Sequence, residues 1–129
     1  ISGLYKGRRI SAPKKLPVRP TTDMAKEALF NIINNQYYFN DISVLDLFSG
    51  TGNISYEFAS RGTEEITAVD AHFGCIKFIN QTADDFEMNI TTIKSDVIVE
   101  HSKHTDLSQL EHYSYSKSYG GNVFSFFSN

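Results

Sequence analysis

The chain has 129 residues, 40% hydrophobic and 21% charged, which allows one globular domain with a core but is small for two. Its formal net charge is −3, and no apolar run approaches the roughly 20 residues of a membrane span. A single cysteine excludes an internal disulfide framework and favours the cytoplasm, and the basic N-terminus lacks the apolar segment of a secretory signal.

Charge is distributed unevenly along the chain. Residues 1–22 contain six basic side chains and no acid, whereas the remainder carries six basic and fifteen acidic residues. A basic segment on an acidic body favours a polyanionic partner, so we interpret residues 1–22 as a nucleic-acid-binding arm. The candidate phosphate-contacting residues are Lys6, Arg8, Arg9, Lys14, Lys15 and Arg19. The alternative is a solvated tail without a partner.

Hydrophobic periodicity predicts alternating helices and strands after an extended arm. In chain order, the predicted elements are a short strand within Ile1–Ile10, a helix from a cap at Thr21 or Thr22 to about Asn35, a strand over Ile42–Phe48, a helix over Asn53–Arg61, a strand over Glu65–Asp70, a helix over Phe73–Thr82 and a strand over Asn89–Lys94. Strands that alternate with helices imply a parallel sheet with right-handed crossovers. The expected fold class is therefore α/β and Rossmann-like.

The C-terminal segment predicts an antiparallel hairpin, because Tyr113–Tyr119 and Asn122–Phe127 flank Gly120-Gly121. We interpret its aromatic side chains as sheet packing rather than as a base-stacking platform. The expected domain organisation is a basic arm over residues 1–22 and a Rossmann-like domain over residues 23–129.

One stretch is inconsistent with a parallel sheet. Residues 91–101 form a single long β-like run, and neither half has the connection of a dozen residues that parallel strands require. We therefore predict a missing segment near Val97-Ile98, which leaves the domain incomplete between residues 97 and 98. A continuous, normally bonded strand through these two residues would remove this hypothesis.

The most informative pattern is a strand that leads into a glycine-rich turn. An apolar run ends in Asp46 and Phe48, turns on Gly50 and Gly52, and opens a helix, as in nucleotide-cofactor loops. The dinucleotide fingerprint is incomplete, because its third glycine is Ser55 here. Asp46 would repel a phosphate but attract an ammonium or sulfonium group, which favours S-adenosylmethionine over a nicotinamide cofactor. The alternative is an ordinary glycine turn.

Two further acids follow later predicted strands. Asp70 ends the second strand, where a carboxylate can accept hydrogen bonds from both ribose hydroxyls of a cofactor. Asp96 follows the third strand and can accept a hydrogen bond from an adenine amino group. The alternatives are a solvated strand-end acid at Asp70 and ordinary Ser-Asp turn chemistry at Asp96.

The remaining reactive side chains do not form a predicted site. Cys75 lies on a predicted helix without a neighbouring base, so we interpret it as a buried structural thiol. His101, His104 and His112 lie in a polar stretch that lacks a third ligand, and no metal site is predicted. Nothing in the sequence indicates oligomerisation, so a monomer is the default expectation.

Four motifs occur in order: Arg19-Pro20-Thr21-Thr22-Asp23, Glu27–Ile32, Leu45–Gly52 and Ser60-Arg61-Gly62. Together they resemble the bacterial 16S rRNA guanine-N2 methyltransferase family over residues 1–97, and the resemblance resumes in Ile98–His101 and in the hairpin. It implies a class I methyltransferase fold, S-adenosylmethionine as cofactor, and guanine N2 of 16S rRNA or of the small ribosomal subunit as the target. The cofactor-binding residues that it implies are Asp46, Gly50 and Gly52 towards the methionine end, Asp70 at the ribose and Asp96 at the adenine. Phe48 is a further candidate cofactor-binding residue.

The chain departs from that family at the catalytic motif. The family has Asp/Asn-Pro-Pro-Tyr/Phe after its fourth strand, which orients the exocyclic amine and stacks on the flipped base. This chain has no Pro-Pro, its last proline is Pro20, and the motif would fall at the Val97-Ile98 junction. We therefore assign no catalytic residue. The alternatives are a class I methyltransferase for DNA adenine or a protein amide, a non-catalytic RNA-binding module, and more distantly a nicotinamide reductase, which Asp46 and Ser55 disfavour.

Overall fold

A computed structural model describes residues 3–5, 10 and 23–128, and the chain divides into two compact units between Ile93 and Lys94. In chain order, the elements are a 3-10 turn at Gly3–Tyr5, α1 (Asp23–Gln36), a 3-10 turn at Phe39–Asp41, β1 (Ser43–Leu47), α2 (Asn53–Ser60), β2 (Glu65–Asp70), α3 (Phe73–Asp85), β3 (Ile90–Lys94), β4 (Val97–Ser102), β5 (Tyr113–Tyr119) and β6 (Asn122–Phe127).

The N-terminal unit contains a three-stranded sheet in the order β1-β2-β3. Strands β1 and β2 are parallel, with Ser43 opposite Glu65 and Leu47 opposite Val69. The central strand β2 is the most buried of the three, because its residues from Ile66 to Val69 are enclosed on both sides. The predicted α/β architecture is therefore confirmed, and the ends of β1 and β2 meet at one edge of the sheet.

An aromatic cluster and a buried ion pair join α1 to α2. The ring of Phe30 lies 4.6 Å from that of Phe58 and 4.8 Å below the guanidinium of Arg61. The carboxylate of Glu57 is only 2% exposed, and it accepts from Arg61 Nε at 2.7 Å and from Lys26 Nζ at 3.3 Å. These contacts fix the helix that follows the glycine loop.

The C-terminal unit is an antiparallel sheet in the order β4-β6-β5. Strands β5 and β6 form the predicted hairpin, with Tyr119 opposite Asn122. Phe126 on the central strand is fully buried, and the ring of Tyr115 stacks on it with centroids 6.1 Å apart. Tyr113 also packs edge-on against Phe127. The interpretation of these aromatic side chains as sheet packing is supported by the contacts.

The predicted β run over residues 91–101 is wrong as a single strand. It is divided into β3 and β4, which belong to different sheets, so the two-residue link needs no parallel crossover. Ser95 causes the break: its buried hydroxyl accepts from the backbone N–H of Phe127 at 3.0 Å and lies 2.9 Å from the carbonyl oxygen of Val97. The Ser95 side chain thereby takes the place of a backbone hydrogen-bond partner for Phe127.

Strand β4 is continuous through the Val97-Ile98 junction, where Val97 lies opposite Phe127 and Ile98 opposite Phe126. The chain is therefore not interrupted at this point. The β-geometry argument for a missing segment therefore fails, and the support that is left is the family pattern, because the chain contains no Pro-Pro. The loss of a segment at this junction, and the domain boundaries at 1–22 and 23–129, stay predictions.

The predicted strand within Ile1–Ile10 is wrong for the part that the structure describes. Gly3–Tyr5 is a 3-10 turn, and the backbone N–H of Tyr5 donates to Ser60 Oγ at 2.9 Å. The Tyr5 hydroxyl also donates to the carbonyl oxygen of Phe86, whose ring packs against it. Among the described residues, no helix has the length and apolar character needed to cross a bilayer.

Candidate cofactor site

The glycine loop between β1 and α2 is held by backbone hydrogen bonds. The N–H of Ser49 donates to the carbonyl oxygen of Val69 at 2.9 Å, and the N–H of Gly52 donates to that of Ser49 at 3.0 Å. Gly52 has φ +90°, and a Cβ at this position would lie 2.7 Å from the ring of Tyr56. The position therefore requires glycine on grounds of both conformation and space.

Asp70 links the end of β2 to this loop. Its Oδ1 accepts from the backbone N–H of Gly50 at 3.0 Å, and its Oδ2 accepts from the N–H of His72 at 3.0 Å. Each carboxylate oxygen has two lone-pair sites, so both can accept a further hydrogen bond from a ligand hydroxyl. The predicted ribose-binding acid thus lies beside the predicted loop.

Asp46 lies near the end of β1 and is half-buried. Its Oδ2 accepts from Ser55 Oγ on α2 at 2.7 Å. Burial raises the pKa of Asp46, the hydrogen bonds from Ser55 lower it, and the charge of Asp70 raises it. Asp46 lies opposite Ala68, two residues before Asp70, so the adjacent ends of parallel strands β1 and β2 bring the first two predicted acids to the same edge of the sheet.

The donor groups around the loop fit a cationic, hydroxyl-bearing ligand better than a phosphate. The backbone N–H groups of Ser49, Gly50 and Gly52 all donate within the protein, so they are not directed at a pyrophosphate. The Ser49 hydroxyl is buried without a hydrogen-bond partner among the residues that the structure describes. The two carboxylates beside the loop therefore suit a cationic, hydroxyl-bearing ligand such as S-adenosylmethionine better than a pyrophosphate.

Phe48 stands at the start of the loop in an unusual conformation. Its φ is +55°, a left-handed value that a bulky side chain rarely adopts, and its side chain is 73% exposed. An exposed aromatic ring therefore follows directly after the end of β1, next to the glycine loop. A ring in that position can pack against a ligand, as the sequence predicted for a cofactor-binding residue.

The thiol of Cys75 on α3 is fully buried, as predicted. Burial raises the pKa of this thiol, and the neighbouring charge of Asp70 raises it further. The neutral thiol is therefore favoured, and the structural interpretation of Cys75 agrees with its surroundings.

Several predicted residues are not placed at this site by the structure. Asp96 belongs to the C-terminal unit, where its backbone N–H donates to Phe127 O at 2.9 Å and its carboxylate lies 3.8 Å from Lys94 Nζ. Its role towards adenine stays a prediction. The basic arm residues lie outside the described residues: Lys6, Arg8, Arg9, Lys14, Lys15 and Arg19.

Sequence reasoning missed two polar residues of the site. Ser55 was noted only as a departure from the dinucleotide fingerprint, although it is the hydrogen-bond partner of Asp46. Ser49 was noted only as part of the loop. The available signal was position: Ser55 lies in the first turn of α2, directly after the loop, so its side chain can reach the end of β1.

The two cavities of the described fold lie elsewhere. One, of about 390 Å³, runs along α3, and the other, of about 310 Å³, lies in the C-terminal unit. Neither is lined by Asp46, Asp70 or the glycine loop. Among the described residues, no three or more His, Cys, Asp or Glu side chains are grouped to hold a metal ion.

Comparison with known sequences identifies relatives that are named as ribosomal RNA methyltransferases. A family model described as "Conserved hypothetical protein 95" matches residues 1–127. "Putative rRNA methyltransferase YlbH" of Bacillus subtilis is 40% identical over 88 residues, which are 68% of this chain and 47% of that protein. "Ribosomal RNA small subunit methyltransferase D" of Haemophilus influenzae is 30% identical over 94 residues, 73% and 44% of the two chains. The chain thus spans less than half the length of these relatives.

Solved structures show the same fold. "Putative methyltransferase yhhF from Escherichia coli" superposes with a TM-score of 0.65 and 18% identity, over 98% of this chain and 94% of that chain. A hypothetical protein of Thermus thermophilus superposes with a TM-score of 0.63 and 15% identity, over 98% and 96%. At this level of identity the agreement concerns the fold alone.

Proposed function

This chain belongs to the family described as "Conserved hypothetical protein 95", and on that premise we propose that it binds S-adenosylmethionine and serves in the methylation of small-subunit ribosomal RNA. The proposed target atom is the exocyclic N2 of a guanine in 16S rRNA. The observation that carries the proposal is the placement of Asp46 and Asp70 at adjacent ends of parallel strands β1 and β2, beside a glycine loop in which the amides of Ser49, Gly50 and Gly52 already donate within the protein.

The cofactor's charges fit the two acids. S-adenosylmethionine carries an ammonium and a sulfonium but no phosphate, so the carboxylate of Asp46 attracts it where it would repel a dinucleotide. Asp70 accepts the ribose hydroxyls on lone pairs that remain beside its bonds to Gly50 and His72. We assign Asp96 to the adenine amino group from the family resemblance alone.

When bound, the cofactor supplies an electrophilic methyl group on its sulfonium. The residues of this chain bind and orient the cofactor. Asp46 holds its amino-acid end and Asp70 holds its ribose, while Phe48 covers an apolar edge of the cofactor. Methyl transfer depends chiefly on in-line placement of nucleophile and methyl at near-contact distance. A guanine amino nitrogen can lose its proton after attack, so the reaction requires no strong general base.

Turnover requires a segment that this chain lacks. The chain contains no Pro-Pro, and it spans less than half of the curated relatives. Only two residues, Ser95 and Asp96, separate β3 from β4. We propose that the base-orienting motif of the family is lost at the Val97-Ile98 junction, so that this chain binds the cofactor more weakly than a complete family member and does not transfer methyl groups by itself.

The missing motif also favours a second candidate, a non-catalytic RNA-binding module that has kept the fold. In that case the basic arm contacts RNA phosphates and positions the body on the RNA without specifying sequence. Binding of S-adenosylmethionine separates the two candidates, because the module has no need of it. Both candidates place the chain in the cytoplasm, where ribosomal RNA is available, as a monomer.

The test uses two chains: the 129-residue protein and a version with the corresponding segment of the Bacillus subtilis relative inserted between Val97 and Ile98. Calorimetry with S-adenosylhomocysteine measures binding, and transfer of a radiolabelled methyl to an unmodified 16S rRNA transcript measures turnover. We expect both chains to bind and only the longer one to form N2-methylguanosine. Absence of binding by both would refute the cofactor proposal, and equal turnover by both would refute the lost motif.

A further inference from the structure

Ser55 occupies the position where a dinucleotide loop carries its third glycine. Its side chain is 0% exposed, and its hydroxyl donates to Asp46 Oδ2 at 2.7 Å. Its backbone N–H is a second hydrogen-bond donor to the same carboxylate. A glycine at this position would supply only the backbone donor, so the serine adds a bond that the dinucleotide fingerprint lacks.

The carboxylate of Asp46 needs such donors to stay ionised. Burial and the charge of Asp70 both disfavour its anionic form, and Ser55 provides the hydrogen bonds that oppose them. Asp70 itself lies beside the thiol of Cys75 on α3. On α2 the nearest acid, Glu57, is already paired with Lys26 and Arg61. Among the described residues of α2, Ser55 is therefore the one that hydrogen-bonds to the carboxylate of Asp46.

We propose that Ser55 is a positioning residue of the cofactor site, because its hydroxyl holds the Asp46 carboxylate in the orientation that receives the cofactor's ammonium group. This inference rests on the proposed function and deepens it. An anionic Asp46 attracts the ammonium, whereas a protonated Asp46 is neutral and does not. Ser55 therefore determines the lowest pH at which the site binds its ligand with full strength.

The test compares Ser55→Ala with a matched control, Ser60→Ala. Ser60 lies on the same helix, is 3% exposed, and uses its hydroxyl to accept from the N–H of Tyr5 instead of contacting Asp46. Two quantities are measured: the pKa of the Asp46 carboxyl by carbon NMR without ligand, and the Kd for S-adenosylhomocysteine by calorimetry between pH 5 and 8. Ser55→Gly, which adds no bulk, gives the same two readouts in case the alanine variant does not fold.

In Ser55→Ala or Ser55→Gly we expect the pKa of Asp46 to rise by about one unit. The Kd should increase about tenfold at the acidic end of the range, where Asp46 then takes up a proton, and converge on the wild-type value towards pH 8. The Ser60→Ala variant should leave both the pKa of Asp46 and the pH profile unchanged.

Three results would overturn the assignment: an unchanged Asp46 pKa in both Ser55 variants, an equal loss of affinity at every pH, or the same shift in Ser60→Ala. Each of these leaves the proposed function intact if the wild-type chain binds. Failure of the wild-type chain to bind S-adenosylhomocysteine at any pH refutes the proposed function itself, and the assignment of Ser55 falls with it.

Discussion

The backbone N–H of Gly50 donates to Asp70 Oδ1 at 3.0 Å, so the acid that ends β2 holds the loop that follows β1. The other oxygen of the same carboxylate accepts from His72 at 3.0 Å. Asp70 therefore has two tasks at once: it shapes the loop, and it presents its remaining lone pairs to a ligand. The two tasks have different experimental signatures.

We expect Asp70→Asn to weaken S-adenosylhomocysteine binding tenfold or more, which corresponds to about 1.5–3 kcal/mol. The amide retains one acceptor oxygen, but its NH₂ group opposes the N–H of either Gly50 or His72. Calorimetry measures the loss. Asp85→Asn is the control, because Asp85 is an exposed side chain at the end of α3 that accepts only from Gln81. Wild-type affinity in Asp70→Asn would contradict both tasks.

Asp46→Asn should stabilise the protein at neutral pH while it weakens ligand binding. The pKa of Asp46 is raised in the folded state, chiefly by burial, above its ordinary value of 3.8. At a pH between the pKa of Asp46 in the unfolded state and its higher pKa in the folded state, the native state binds more protons than the unfolded state. The free energy of unfolding therefore falls as pH rises through this range. Asparagine removes this penalty and can still accept from Ser55.

Urea unfolding at pH 7 and below pH 3.8 measures the effect of Asp46→Asn. We expect a gain of about 1 kcal/mol at pH 7 that disappears at the lower pH, where aspartate is protonated in both states. A loss of stability at pH 7 would show that the ionised carboxylate is favourable in its site, and the physical account of Asp46 would then be wrong.

Elements with a local signal could be predicted from the sequence. Strand β2 begins and ends where predicted, because Glu65 and Asp70 bound a short apolar run. The hairpin was placed correctly, because Gly120-Gly121 separates two aromatic strands. Helix α3 continues three residues beyond the predicted end at Thr82, since nothing in the following residues stops a helix before Phe86.

Features that depend on distant contacts could not be predicted. The break after β3 depends on Ser95, whose hydroxyl bonds to the backbone of Phe127 thirty-two residues later. The positive φ of Phe48 and the bond between Asp46 and Ser55 likewise arise only when β1 and α2 pack. Sequence patterns therefore indicated the two acids and the loop, but not the hydrogen bonds that set their chemistry.

Glu57→Gln should destabilise the protein by about 2–4 kcal/mol, because it leaves the positive charge of Lys26 in a poorly solvated position without its partner. Arg61 also loses its charged acceptor on α2. Urea unfolding measures the loss, and adding Lys26→Met to the Glu57→Gln chain should recover part of it. Additive losses in the double variant would show that the two residues are not coupled.

The arm interpretation makes a prediction about salt. Lys14→Ala combined with Lys15→Ala should lower the magnitude of the slope of log affinity against log salt for 16S rRNA by about 1.5. The reason is that binding releases fewer counterions from the RNA when two phosphate contacts are lost. Filter binding at several salt concentrations measures the slope. Exposed lysines of the body, Lys77 and Lys103, provide the charge-matched control. An equal change in the control would assign the effect to net charge rather than to the arm.

Gly52→Ala should destabilise the protein by about 2–4 kcal/mol and remove cofactor binding. The new methyl group would sit 2.7 Å from the ring of Tyr56 and 2.9 Å from Ile79, on a backbone with φ +90°. Gly121→Ala is the matched control, because a Cβ there meets nothing within 4 Å and should change stability by less than about 0.5 kcal/mol. Urea unfolding and calorimetry give the two readouts. If Gly52→Ala were as stable and as competent as Gly121→Ala, the loop would not have the tight conformation on which the site depends.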